Sequence, residues 1–499
     1  MTPPTPPARG RVRGGNGSRG DARRHGAGPR LAATLAAWAL TLALPGCGEA
    51  DPAAEPPADS APVPAPVAAP ERENATVEPA APPEAPPPIA EPSLHEEPPP
   101  VAGDSVAPTI EDPSGKALDR FLGGLRRLES QPKSGEHVRV VHWGDSSIGA
   151  DDFPDQIRSR LWLRFGDGGP GFVFPIAKSG GHVTRVVAYG AERGRDWQSC
   201  GILGGCLDDG AFGLGARRFT APPGAISELH HPAFVATRPE EPRWRRWGRR
   251  WATVELWFAK APKSAKVGLR VDHGDWLARV ETKGRSGSGW ASVALDPSRM
   301  HTLELRSMGP ASAALYGLVL ESDEPGVVWD ALEIRGGVLR RLLRWDPAHL
   351  AEQVAHRNPD LLVLQMGGND LQRAESGTDT ATMEAEMTEL LGRLRAGAPE
   401  ASCLVIGLST HDESAGQPVS RERLRAFVDF ERRAAFASGC AFFDAVAALA
   451  PAGDGPALRR AGWLERDGAH LTSAGRAQLG QQLFDALIRE LDTTATPHP

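Results

Sequence analysis

The chain has 499 residues, with 56 Lys and Arg against 63 Asp and Glu and a formal net charge of −7. Residues 1–46 hold seven arginines and one acid, so the rest of the chain carries −13. That balance argues against nucleic acid as a partner, which selects a basic face. The length leaves room for about two folded domains once a low-complexity N-terminal stretch is set aside.

Residues 1–46 read as a signal peptide. The basic stretch is followed by the apolar Leu31 to Leu44, too short to span a bilayer as a permanent anchor. Leu44-Pro45-Gly46-Cys47 closes it with small residues before a cysteine, which resembles a bacterial lipobox with Cys47 as the lipidated residue. Ordinary secretion and an uncleaved anchor of the same topology stay open. The expected location is the cell envelope, on a membrane-anchored lipoprotein facing the periplasm or the exterior. Residues 47–112 are rich in Pro, Ala and Glu and poor in large apolar side chains, so they are expected to form a disordered tether. Residues 493–499 are expected to be a disordered tail.

Three short stretches carry the chemistry. Gly144-Asp145-Ser146 follows Val138-Arg139-Val140-Val141-His142, a β-branched run that suits a buried strand. Behind it, Phe153, Ile157, Leu161 and Phe165 recur every four residues, and the spacing predicts a helix over 152–165. Gly367-Gly368-Asn369-Asp370 follows Leu361-Leu362-Val363-Leu364-Gln365-Met366, a continuous apolar run that suits a central parallel strand. Asp467-Gly468-Ala469-His470 precedes a helical pattern marked by Leu479, Leu483, Leu487 and Leu491, with Thr472 or Ser473 as its cap. A serine hydroxyl needs an imidazole to take its proton and a third group to orient that imidazole. All three are present, at strand ends or in the loop before a helix, where open α/β sheets place ligands.

With these motifs the chain resembles the SGNH, or GDSL-like, hydrolases. The resemblance implies an α/β fold, a three-layer α/β/α flavodoxin-like domain. It implies Ser146 as nucleophile, His470 as general base and Asp467 as the acid that orients it. It also implies an oxyanion hole made of the Ser146 N–H, a second-block glycine N–H and the Asn369 side chain. Gly336, in Ile334-Arg335-Gly336-Gly337, is the assigned glycine, with Gly337 one step away. Relatives often carry Asn where Arg335 stands, and some carry His where Ser147 stands. Asp145, beside the nucleophile, is assigned no part in the triad.

Between Phe174 and about Pro325 the helical signal gives way to alternating runs at 252–258, 267–271, 290–295 and 302–305. They predict an inserted all-β sandwich over 176–325, dividing the hydrolase domain into 113–175 and 326–492. Seven of the thirteen tryptophans lie in that insert, and exposed indoles would stack on sugar rings, whereas buried ones would be core. Arg243, Arg245, Arg246, Arg249 and Arg250, interleaved with Trp244, Trp247 and Trp251, could face an anionic glycan or be a solvated loop. His230-His231 reads as a solvated pair. The arrangement resembles the peptidoglycan O-acetylesterase branch of the family, with a carbohydrate-binding-like sandwich between the first two blocks.

Cysteine spacing fits export. Cys200 and Cys206 flank a short glycine-rich loop, and Cys403 and Cys440 open two strand candidates that could be neighbours. Either bridge is open to the alternative of free thiols. No Gly-x-Ser-x-Gly elbow, no His-Glu-x-x-His, no Walker motif and no Gly-x-Gly-x-x-Gly that opens a helix after a strand supports another hydrolase, a metal or a nucleotide cofactor, so none is expected. The expected function is an esterase removing O-acetyl or other short acyl groups from a cell-envelope polysaccharide such as peptidoglycan. An O-acetyltransferase using the same site and a non-catalytic glycan-binding protein are the alternatives.

Overall fold

The computed structural model describes residues 109–177, 184–190, 196–232, 247–263, 265–375, 377–409, 411 and 419–493. The expected signal peptide, Cys47, almost all of the tether, Arg243 to Arg246 and the tail from 494 lie outside the described residues.

Five strands form one parallel sheet: β1 (His137–Gly144), β2 (Gly326–Glu333), β3 (Leu361–Gln365), β4 (Ser402–Ile406) and β5 (Ala441–Phe443). Their order is β2-β1-β3-β4-β5, the flavodoxin-like order. All five residues of β3 are buried, because helices cover both faces of a central parallel strand. Among the described residues, the helices of eight residues or more are α1 (Asp119–Ser130), α2 (Asp152–Phe165), α3 (Pro347–Arg357), α4 (Gly368–Glu375), α5 (Thr380–Ala396), α6 (Arg421–Ala437) and α7 (Ser473–Thr493). Of these, α1, α2 and α7 pack together in one group, and α3, α5 and α6 in another. The predicted bounds of α2 match, and Phe153, Ile157, Leu161 and Phe165 are its buried stripe.

Register brings the functional loops together. Gly144 at the end of β1 is opposite Glu333 of β2 and Gln365 of β3. The loops leaving those three strands therefore emerge side by side on one rim, at the switch point of the sheet. Two backbone bonds continue the pairing into the loops: Ile334 N–H donates to Gly144 O (2.7 Å) and Asp145 N–H to Gln365 O (3.1 Å).

The fold begins earlier than the sequence suggests. Ile110 is buried, and Glu111 exchanges both backbone bonds with Phe442 at 2.8 Å. The expected tether thus ends before residue 110, because β5 is an edge strand whose free groups take a partner.

The insert consists of two antiparallel sheets. One runs Gly287–Ala294, Thr253–Lys260, Ala313–Glu321, Arg217–Ala221 and Gln198–Gly201; the other runs Ala188–Tyr189, Ile226–His230, Thr302–Met308, Lys266–Val271 and Trp276–Glu281. Gly171–Val173, counted with the hydrolase from sequence, pairs with Ala313–Glu321 and joins the first of these sheets. Ion pairs fasten the insert to the hydrolase through Glu321, which is held by Arg357 of α3 at 2.7 Å and by Arg139 of β1, while Arg357 also holds Asp330 of β2 at 2.6 Å.

The insert's described indoles serve packing. Trp251 and Trp257 are buried, and Trp290 stacks on His356 of α3 with ring centroids 3.9 Å apart. Trp276 lies under the Arg270 guanidinium. His230 and His231 are buried rather than solvated, and His231 Nε2 meets Trp247 O at 2.9 Å. Burial pulls the His231 pKa down to about 4. Both cysteine pairs are bonded, Cys200 to Cys206 and Cys403 to Cys440, the second between the starts of the neighbouring strands β4 and β5.

Candidate active site

Ser146 opens a short 3-10 turn directly after β1. A strand that ends in a tight turn at a sheet rim presents the first side chain of the turn outward. His470 comes from the loop ahead of α7, which is closed by a Leu464–Leu471 bridge and by Glu465 N–H donating to His470 O at 2.8 Å. Of the two cap candidates, Thr472 starts the helix: its Oγ1 accepts the Gly475 N–H at 3.1 Å.

These elements bring three distant residues into one chain of hydrogen bonds. Ser146 Oγ and His470 Nε2 are 2.9 Å apart, and His470 Nδ1 and Asp467 Oδ2 are 2.7 Å apart. Asp467 Oδ1 also accepts the N–H groups of Ala469 (2.9 Å) and His470 (3.0 Å). Desolvation alone would raise the Asp467 pKa, but those two N–H groups and the His470 ring outweigh it and lower it. The acid therefore stays ionised, with one oxygen aimed at Nδ1. This leaves Nε2 free to accept a proton from Ser146.

The third block lines the pocket beside the nucleophile, and the second is tied to it while neither of its glycines lines that pocket. Ile334 O accepts the Gly337 N–H at 2.7 Å, closing a turn whose third residue is Gly336, with φ of +75°. Such a turn requires the left-handed conformation that glycine supplies. It occupies the Gly337 N–H and leaves that of Gly336 out of the turn bond. Asn369 Nδ2 donates to Gly337 O at 3.0 Å, so the second and third blocks are directly joined.

Asp145 holds the blocks together, a role the sequence reading did not assign. Its Oδ1 accepts the Ser147 N–H at 2.9 Å. Its Oδ2 accepts from Gly367 N–H (3.3 Å), Gly368 N–H (3.2 Å) and Asn369 Nδ2 (3.4 Å). Nothing within a short window of Asp145 signals this role, since the Gly367 and Gly368 amides reach it only through the pairing of β1 with β3. Asp370 was missed in the same way. It is fully buried and takes the Leu339 N–H at 3.0 Å, anchoring the chain just past Gly337. Burial raises its pKa to about 6 against the pull of that N–H and of Arg373.

A pocket of about 530 Å³ opens over these groups, lined by Ser146, Gln365, Asn369, His411, Arg466 and His470 among others. It can hold an acyl group against the Ser146 hydroxyl with amide donors beside it. Among the described residues, Glu228, His273 and Glu304 of the insert are grouped closely enough to share a cation, and none of them lines this pocket.

Residues 315–478 match the GDSL-like lipase/acylhydrolase family. The match spans Gly336, Asn369, Asp467 and His470 but not Ser146, which the insert separates from the other blocks in sequence. No curated protein matches the chain. Among solved structures, a peptidoglycan O-acetylesterase superposes with a TM-score of 0.61 at 22% identity, covering 77% of this chain and 99% of that one. A lipase/acylhydrolase from Enterococcus faecalis gives 0.27 at 18% identity, over 35% and 80% of the two chains. A family two carbohydrate esterase from Cellvibrio japonicus gives 0.26 at 12% identity, over 61% and 98%. The chain carries a GDSL-like lipase/acylhydrolase domain and is an ester-hydrolysing enzyme.

Proposed function

We propose that the protein is an exported serine esterase that removes O-acetyl groups from a cell-envelope polysaccharide such as peptidoglycan, held at a membrane through Cys47. The observation that carries the catalytic part is the unbroken Ser146–His470–Asp467 chain of hydrogen bonds opening into a pocket.

In the proposed reaction His470 Nε2 removes the Ser146 proton as Oγ attacks the ester carbonyl carbon. The carbonyl π pair moves to oxygen, and the oxyanion is met by the Ser146 and Gly336 N–H groups and by the Asn369 amide, which gives up its long 3.4 Å bond to Asp145 to donate to it. Collapse breaks the bond to the sugar oxygen, which takes the proton from His470, leaving acetyl-Ser146. Water then gives its proton to His470, attacks the acyl carbon and releases acetate as Ser146 recovers its proton. Asp467 stays ionised throughout and stabilises the transient imidazolium.

The substrate assignment is supported by the similarity to a solved peptidoglycan O-acetylesterase, which is covered almost end to end. The leader and tether support export. The insert's described indoles are engaged in packing, so the polysaccharide is assigned to the pocket rather than to an aromatic platform. The test is acetate release from O-acetylated peptidoglycan and O-acetylated xylan in parallel. The proposal expects clear preference for peptidoglycan, and equal or reversed rates would overturn that substrate.

A further inference from the structure

Beneath the pocket lies a carboxyl group that the proposed reaction does not use. Glu431 on α6 is fully buried, with a relative exposure of 0%. Its Oε2 accepts the Leu408 N–H at 2.8 Å, in the loop that leaves β4 and carries the pocket-lining Leu408 and Ser409. Its Oε1 has no hydrogen-bond partner among the described residues and abuts Gly367. Gly367, with φ of +150°, has no room for a side chain: a Cβ there would collide with Glu431 Oε1 and lie 2.9 Å from Phe427 Cε1. One side chain therefore touches both loops that flank the nucleophile, the Gly367–Asn369 loop and the Leu408–Ser409 wall. The first loop is the one whose amides Asp145 gathers.

We propose that Glu431 is a positioning residue that wedges the start of α4, which carries Asn369, against the nucleophile loop and fixes the oxyanion donors. No cation pairs with it among the described residues, and a lone buried carboxylate would be costly. Burial raises its pKa well above the usual range, against the Leu408 N–H bond, and the acids Asp145, Asp370 and Asp444 push it the same way. An uncharged acid offers one carbonyl oxygen to Leu408 N–H and keeps negative charge away from Asp145. A glutamine has the same shape and one acceptor, and so reproduces both properties.

The inference rests on ester hydrolysis at Ser146, and its test uses the full chain with p-nitrophenyl acetate. Glu431→Gln is expected to keep kcat within about three-fold of the parent. Glu431→Asp, too short to reach both loops, and Glu431→Ala are expected to lose about ten-fold or more in kcat with KM little changed, a share of the ~100- to 1000-fold that one hole donor supplies. Circular dichroism and unfolding midpoints establish which variants are folded at the assay temperature. If the alanine variant does not fold, the contrast between glutamine and aspartate decides. A folded Glu431→Asp or Glu431→Ala with parental kcat, or a glutamine variant as slow as either, would overturn the proposal. Inactivity of the parent itself would instead count against esterase chemistry at this site.

Discussion

Ser146→Ala is expected to lower the turnover of an activated acetyl ester by about four orders of magnitude or more, with the unfolding midpoint unchanged. The oxygen removed is hydrogen-bonded to His470 Nε2, and the His470 side chain is 43% exposed. Its loss therefore strands no buried acceptor, and water can take the vacated position. The loops around it are held by other atoms: Asp145 on the glycine amides, Ile334 on Gly144 and Asn369 on Gly337. The variant should thus retain the pocket and its donors while lacking a nucleophile. Acetate release and thermal or denaturant unfolding, measured on the same sample, check both halves. Turnover near that of the parent would reject Ser146 as the attacking group.

Asp467→Asn is expected to cost about 10³- to 10⁴-fold in kcat with KM little changed. Asparagine can still accept the Ala469 and His470 amide protons through its carbonyl oxygen. It then turns an NH₂ toward His470 Nδ1 where a carboxylate oxygen stood at 2.7 Å. An NH₂ donor there favours the tautomer with the proton on Nε2, and a protonated Nε2 cannot accept the Ser146 proton. The amide also lacks the charge that stabilises the imidazolium. Both effects fall on the transition state rather than on substrate binding, so kcat carries the loss. Steady-state kinetics with p-nitrophenyl acetate separates kcat from KM, and a loss confined to KM would contradict this role.

Much of this site was legible because its signals are local. A β-branched run, a four-residue apolar stripe and an Asp three residues before a His each declare themselves within a short window, and β1, α2 and the His470 loop follow them closely. The two cysteine pairs were legible as candidates from loop length and strand starts, and only the fold decides between bonds and free thiols. What escaped depends on neighbours far away in sequence. Asp145 looks idle until register sets β3 beside β1 and delivers the Gly367 and Gly368 amides to its carboxylate. Glu431 sits on an otherwise ordinary helix face, and nothing nearby in sequence reveals Gly367 against it. The tryptophans of the insert offered two uses, stacking on sugar or packing in a core, and composition cannot choose between them. His356 over Trp290 and the burial of Trp251 and Trp257 are tertiary facts. The early start of the fold at Ile110 has the same origin, since only the edge of β5 gives that segment a partner.

Loops that carry Ser146 and His470, 324 residues apart in sequence, form one working nucleophile. The most direct test of this is peptide mass mapping after treatment of the intact protein with an organophosphonate that reacts with activated serines. The expected result is a single adduct on Ser146, lost in His470→Ala although the serine is still present. An adduct on another serine, or equal labelling of Ser146 without the His470 imidazole, would contradict it.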